Sequence, residues 1–508
     1  MKLKRGIKLP LRIIIAAIMI LLQITLTLAI IYSLSEKAVW IYYLIEFGAI
    51  LLTIYIINDN MNPSFKISWV TFILLIPLVG VTSYVLWGGR RVMPHLKKRM
   101  EKSEKQYSAL LPDDCLAFRR LEYEDLLHAK QAQFLKNESK YPVYSNTEVE
   151  YLSPGEIFLP RLIEELEKAE EFIFIEFFIL AEGKMWDEIH TVLKRKAAEG
   201  VEVRIIFDDF GSINRQSRGF VSRLKLEGIL VSAFNRIRPS VDLFMNNRNH
   251  RKIVVIDGKV AVTGGLNIGD EYINLENRFG HWMDCAAIFR GDAVRSFTIM
   301  FLNMWTFITG KVLNGEKYIK NDIERHDGFV LPYCDSPLNR SDPAQGIYMQ
   351  ILNTAQRYVY IASPYLIIGN EMRHALCLAA KSGIDVRIIT PSRWDKWYVH
   401  PVTQRNYEAL LEAGVKIYEY TPGFIHSKLF ISDDSVATVG TVNMDYRSFF
   451  IHFECGAWLC RCDAVKDMKE HYLSLINQSK EITLKDWQRR PFSQRLKQYL
   501  LNIFSPFM

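Results

Sequence analysis

Histidine and lysine two residues apart occur twice in this chain in matching company. His250-Arg-Lys252 is followed by Asp257, Gly264 and Asn267, and His426-Ser-Lys428 by Asp433, Gly440 and Asn443. Counted from each histidine, the lysine stands at +2, the aspartate at +7, the glycine at +14 and the asparagine at +17. A lone His-x-Lys says nothing, but a matched series occurring twice inside a repeat does. An imidazole near neutral pKa can attack or carry a proton. A lysine supplies a point charge and an asparagine an amide donor, which together suit a phosphate group. Two such sets facing one another would enclose one phosphodiester between two histidines. One imidazole would attack phosphorus to give a phosphohistidine, and the other would protonate the leaving oxygen and then deprotonate an incoming alcohol or water. The two sets are symmetric as to which does which. Lysine is a poor metal ligand and neither copy has metal-site spacing, so no metal or other cofactor is expected.

The elements that must position these residues are legible as well. Ile253–Ile256 and Val260–Thr263 flank Asp257-Gly258, a hairpin turn signal. His250 and Lys252 then leave one face of the incoming strand, whereas Asp257 has the opposite parity and sits at the turn, which favours an orienting role. Upstream, Phe172–Leu180 and Val201–Phe207 have the composition of strands, and Met185–Glu199 has helical spacing ending at Gly200. Tyr358–Ile361, Glu371–Ser382 and Ile384–Ile389 repeat that order, and Gly200-Val-Glu-Val-Arg-Ile-Ile206 is answered by Gly383-Ile-Asp-Val-Arg-Ile-Ile389. The expected fold class is therefore α/β, a duplicated unit with parallel strands covered by helices and pseudo-twofold symmetry.

At 508 residues the chain exceeds one ordinary core. Its N-terminus carries three apolar runs, Leu11–Tyr32, Ala38–Ile57 and Trp69–Trp87, each long enough for a membrane-spanning helix. Three spans would place the basic residues before the first run and those at 90–99 on opposite faces, so one cluster yields or the first run does not fully cross. Seven cysteines without a CxxC pair suit a reducing compartment, which puts the large C-terminal part in the cytoplasm. The expected divisions are a membrane region at 1–90, a charged connector at 91–140, the two units at 141–325 and 326–480, and a basic amphipathic tail at 481–508. The net charge of +7 suits an anionic partner.

The paired motifs resemble those of the phospholipase D superfamily from about residue 145 onward. Asn247-Arg-Asn-His-Arg-Lys252, Gly265-Leu-Asn-Ile-Gly-Asp-Glu-Tyr272 and Asn443-Met-Asp-Tyr-Arg-Ser-Phe449 are similar to cardiolipin synthases within it. The resemblance implies two phospholipase D-like α/β sandwich units behind N-terminal transmembrane helices. His250, Lys252, Asp257, His426, Lys428 and Asp433 would be the catalytic set, with His250 as nucleophile and His426 as acid and base. Asn267 and Asn443 would bind phosphate. Glu454, and more loosely Asp284, match the family's downstream acid that orients an active-site histidine. A family serine is replaced by Gly265 and Thr441, so one hydroxyl is missing. The implied reaction joins two phosphatidylglycerols into cardiolipin and releases glycerol, in the bacterial plasma membrane on anionic lipid, without nucleic acid. Hydrolysis, transfer to another alcohol, or an inactive lipid-binding scaffold remain open on the residues alone, as does the oligomeric state.

Overall fold

The computed structural model describes residues 36–88, 94–112, 115–236, 246–320, 328–338 and 342–508, with Leu21, Leu22 and Thr25 before them. The first apolar run, 11–32, otherwise lies outside these residues. Two compact units divide at Pro94. In the first, the second apolar run is a helix, Glu36–Asn58, whose Trp40–Asn58 stretch of 19 residues reaches about 28 Å, enough to cross a bilayer core of about 30 Å. The third run departs from expectation. It is not one helix but two, Pro63–Leu75 and Pro77–Ser83, followed by a π-helical turn at Tyr84–Gly88. Ile76 leaves the helical region (φ −138°, ψ 76°), as a residue before proline is driven to do. Pro77 opens the next helix, where its missing N–H is harmless. One helix among the described residues is therefore long and apolar enough to span a membrane.

The second unit opens with three helices, Pro94–Tyr107, Cys115–Glu124 and Leu126–Ser139, which bury Tyr107, Leu121 and Leu135. Two sheets follow. The first contains β1 (Thr147–Leu152), β2 (Phe172–Phe177), β3 (Glu202–Asp208), β4 (Leu230–Phe234), β5 (Ile253–Ile256), β6 (Val260–Gly264) and, after the short β7 (His281–Met283), β8 (Ala286–Gly291). Its order is β1-β8-β6-β5-β2-β3-β4, with β2, β3 and β4 parallel.

The second sheet contains β9 (Phe329–Asp335), β10 (Tyr358–Ala362), β12 (Asp385–Pro391), β13 (Lys416–Tyr420), β15 (Leu429–Ser432), β16 (Val436–Gly440), β18 (Glu454–Cys460) and β19 (Ser479–Ile482). Short strands β11 (Leu366–Ile367), β14 (Gly423–Ile425) and β17 (Met444–Asp445) stand outside it. From β9 the order is β9-β18-β16-β15-β10-β12-β13, the order of the first sheet strand for strand, with β19 added at the edge. The duplication read from short matching stretches is thus a duplication of topology.

Both hairpins turn with two left-handed residues, Asp257 (φ 51°) and Gly258 (φ 67°) in one, Asp433 (56°) and Asp434 (61°) in the other. Each motif aspartate does more than turn the chain. Asp257 accepts from the backbone N–H groups of Glu170, Glu171 and Phe172 at 2.7–2.8 Å, the entry to β2. Asp433 does the same for Gln356, Arg357 and Tyr358 at 2.8–3.0 Å, the entry to β10. These carboxylates staple the hairpin to the neighbouring central strand.

Asp257 is buried and Asp433 is half-buried. Removing the first leaves the buried Phe172 N–H without its acceptor, while Glu170 and Glu171 are exposed residues, so Asp257→Ala should cost about 2 kcal/mol. Water can replace the second carboxylate, and Asp433→Ala should cost about 1 kcal/mol. Thermal unfolding of the two variants side by side checks this, and equal losses would refute the difference in burial as its cause.

Candidate active site

The chain segments that carry the histidines are held by the opposite copy. Asn249 bridges Phe453 in parallel, and the His250 N–H donates to the Phe453 carbonyl at 2.9 Å. In the mirrored arrangement β14 pairs with β7 in parallel, and the His426 N–H donates to the Met283 carbonyl at 2.7 Å. His250 and Lys252 accordingly lie just short of β5, not on it as the spacing predicts, because the backbone there pairs across copies.

Phe453 and Met283 each precede an acid. Glu454 accepts from His250 Nδ1 at 2.9 and 3.0 Å, and Asp284 accepts from His426 Nδ1 at 2.6 Å. Each imidazole is therefore oriented by a carboxylate of the other copy. With Nδ1 carrying the proton toward the carboxylate, Nε2 holds the lone pair that can meet a substrate. Lys252 and Lys428 each donate Nζ to the carbonyl of their own histidine, at 2.7 Å for Lys252.

The asparagines are less alike than their spacing. Asn267 accepts from the Ile179 N–H at 3.0 Å and donates to the Tyr272 hydroxyl at 2.9 Å, so it secures the turn after β2. The buried Asn443 Oδ1 has no hydrogen-bond partner. Asp257 and Asp433 stand at the far turns of their hairpins, apart from the histidines. Their oxygens hold backbone N–H groups, which fits the orienting role that their place at the turn suggests.

The missing hydroxyl has a steric reason. Thr441 donates its hydroxyl to Glu454. At the equivalent Gly265, a Cβ would lie 2.0 Å from Asp284 Oδ1. The shorter acid occupies the space a side chain needs.

Burial and the two lysines set the titration of the site. Burial, then the charges of Lys252 and Lys428, hold His250 well below its ordinary 6.5. Burial and Lys428 push His426 down to about 4, against the upward pull of Asp284. Burial lowers Lys252 to about 7 and Lys428 to about 8, with the two acids opposing it. Burial would raise Asp284, but His426 and Lys428 outweigh it and keep the carboxyl low. The two lysines share a low-dielectric site with two buried carboxylates, Glu454 and Asp284, which only partly offset their loss of hydration. A phosphodiester would satisfy both lysines at once.

Several buried groups beside the site escaped the sequence reading. His452 lies with its ring centroid 5.6 Å from that of His250 and its Nδ1 3.7 Å from Glu454. Asp208 accepts from the Asn249 N–H at 2.9 Å, and Glu176 accepts from Asn249 Nδ2 at 2.7 Å. Burial raises these acids to about 6 and about 7. A single charge inside the apolar run Phe172-Ile-Phe-Ile-Glu176-Phe was the available signal for Glu176. Among the described residues, His250, His452 and Glu454 form the one group with ligand atoms close enough for a metal, within 4.8 Å. The lysines beside it oppose a cation.

Comparison with known proteins agrees with this geometry. The family model described as "Cardiolipin synthase, PLD-like domain" matches residues 162–289 and again 348–476, one window around each motif. A second, "Phospholipase_D-nuclease N-terminal", matches 48–89. A Streptococcus mutans protein is 40% identical over 461 residues, which is 90% of this chain and 99% of its own. A cardiolipin synthase from Geobacillus sp. is 34% identical over 470 residues, 92% of this chain and 93% of that one. A third relative, the cardiolipin synthase of Alkalihalophilus pseudofirmus, is 32% identical over 475 residues, 91% and 92% of the two chains. Among solved structures, phosphatidylserine synthase from Haemophilus influenzae superposes with a TM-score of 0.56 at 14% identity, covering 75% of this chain and 98% of that one. At that identity the likeness is one of fold.

Two outcomes follow from the geometry. Gly265→Ala must displace Asp284 from His426, and turnover should fall about a hundredfold or more with folding intact by circular dichroism; unchanged turnover would mean that the couple does not orient His426. Because Lys252 and Lys428 lose their protons near pH 7 and 8, anion affinity should weaken as pH rises. Sulfate, whose charge is constant in this range, should bind about tenfold more weakly at pH 9 than at pH 6.5 by calorimetry. A flat profile would refute the depressed lysines.

Proposed function

The chain belongs to the cardiolipin synthase, phospholipase D-like family, and from that premise we propose that it joins two phosphatidylglycerol molecules into cardiolipin and releases glycerol. It is a phosphatidyltransferase associated with membranes. The observation that carries the finer reading is the pair of histidine–carboxylate couples, each completed across the two copies, around a site with two buried lysines whose pKa values burial depresses.

His250 Nε2 attacks the phosphorus of the first phosphatidylglycerol, and the bond to the headgroup glycerol oxygen breaks as His426 protonates it. Positive charge builds on the His250 ring as the N–P bond forms, and Glu454 at Nδ1 stabilises it. The terminal hydroxyl of the second phosphatidylglycerol then gives its proton to His426 and attacks phosphorus. The N–P bond breaks, His250 is restored and cardiolipin leaves. Burial and Lys428 hold His426 at about 4, so it would be neutral at pH 7. The negative phosphodiester, by offsetting Lys252 and Lys428, raises it and makes the acid available only when substrate is bound.

The same proposal places the catalytic unit at the cytoplasmic face of the bacterial plasma membrane, with the N-terminal region multi-pass. The Trp40–Asn58 helix and the basic residues Lys97, Lys98 and Arg99 beyond the hydrophobic region support that orientation.

Product analysis of the full chain in mixed micelles with labelled phosphatidylglycerol and no added metal tests the reaction. Cardiolipin plus free glycerol is expected, and His250→Ala should abolish both. Phosphatidic acid as the main product would make the enzyme a hydrolase. With a phosphatidyl p-nitrophenyl ester, whose leaving group needs no proton, His426→Ala should still accumulate phosphohistidine after acid quenching and His250→Ala should not. The reverse pattern would exchange the two roles.

A further inference from the structure

A headgroup phosphate lies in the plane of a bilayer surface, whereas both histidines are buried. Something must bring the mouth of the site to that plane. The loops that follow β3 and β12 occupy equivalent places in the two copies. Each carries large apolar side chains in solvent: Phe210 and Ile213 after β3, and Trp394, Trp397 and Tyr398 after β12, which are 38–58% exposed.

Both loops reach the site. The Arg248 guanidinium lies 5.1 Å from the centre of the Phe210 ring, two residues from His250. Lys396 donates to the Tyr365 hydroxyl at 2.7 Å, which in turn donates to Asp395 at 2.6 Å. Lys396 also acts electrostatically on His250, and Tyr398 on Arg447.

The apolar surface continues onto the C-terminal helix Phe492–Asn502, which packs on the helix His400–Arg405. Lys497 Nζ sits 5.2 Å above the Trp397 ring, and Arg405 sits 4.8 Å from the Tyr499 ring. Leu496, Tyr499 and Leu500 face solvent, 44–56% exposed. From 484 to 508 the chain has five Lys or Arg residues and one acid, Asp486. From 392 to 405 it has Arg393, Lys396 and Arg405 against Asp395 alone. A monomer seldom exposes so continuous an apolar face without a partner. Indole and phenol rings interleaved with cations match the headgroup region of a negatively charged membrane.

We propose that this rim of paired loops and C-terminal helix is a docking surface for an anionic phospholipid bilayer, seating the mouth of the site on the headgroups. The proposal rests on the phosphatidyl-transfer reading and names where the lipid surface is met. Long basic side chains such as Arg495 and Lys497 lie along the apolar face with their charges at the phosphates. The exposed tryptophans enter the headgroup layer. Diffusion of lipid to the site then becomes two-dimensional.

Full-length protein in phosphatidylserine-rich nanodiscs, in phosphatidylcholine nanodiscs and in amphipol is compared by amide hydrogen exchange. Residues 393–399 and 492–504 should exchange about tenfold more slowly in the anionic discs than in amphipol, and less slowly in the zwitterionic ones. A Trp394→Ser/Trp397→Ser variant should lose that protection. Its turnover of vesicle phosphatidylglycerol should fall about tenfold, while turnover of monomeric dihexanoyl phosphatidylglycerol should stay within about twofold.

Equal loss on both substrates, or no loss on either, overturns the docking surface. Protection that appears in amphipol as protein concentration rises would assign the face to a second copy and overturn it as well. Lipid-dependent protection in a wild-type protein that turns over neither substrate would sustain the docking surface and reject the reaction.

Discussion

Everything in the catalytic unit depends on one reciprocal contact: each copy supplies the other's histidine with both its backbone acceptor and its carboxylate. Phe453 and Glu454 serve His250, and Met283 and Asp284 serve His426. Neither half is complete without the other. A buried imidazole–carboxylate couple is stable only when its geometry is held from both sides, because an unpartnered buried charge is expensive. The two identically ordered sheets provide that hold, and the entry turns stapled by Asp257 and Asp433 fix each hairpin to its sheet. The motif aspartates thus fix the position of each hairpin.

Symmetry of topology does not extend to every atom. Glu454 is long enough to accept from both His250 and Thr441, whereas Asp284 fills the space beside Gly265. Asn267 is fully engaged in securing a turn, and Asn443 Oδ1 is not engaged. These differences make the two histidines inequivalent. The third histidine, His452, shares Glu454 and stands beside only one of them.

Burial, only partly offset by Asp284 and Glu454, depresses the basic groups of the site. Lysines lowered to about 7 and about 8 have lost part of their charge to burial, and His426 near 4 has lost nearly all of it. On the proposed mechanism, an anion entering between them would restore these charges, so binding would also activate the acid. Donors fixed before the substrate arrives need little reorganisation during the reaction, at some cost to the stability of the unliganded fold.

What the sequence determined by itself was everything local or repeated: the two His-x-Lys sets, the Asp257 and Asp433 turns, the strand–helix–strand order and the Ala38–Ile57 helix. Spacing reports these because strand parity and helical period act over a few residues. The third apolar run was legible in length but misjudged in continuity, since one proline at 77 outweighs the hydropathy around it. Only the tertiary structure decided that Glu454 serves His250 across 204 residues and Asp284 serves His426 across 142. It alone decided that His452, Asp208 and Glu176 stand near the site. No periodicity encodes such pairings, because burial of two sheets against each other, and not chain proximity, selects which carboxylate an imidazole meets.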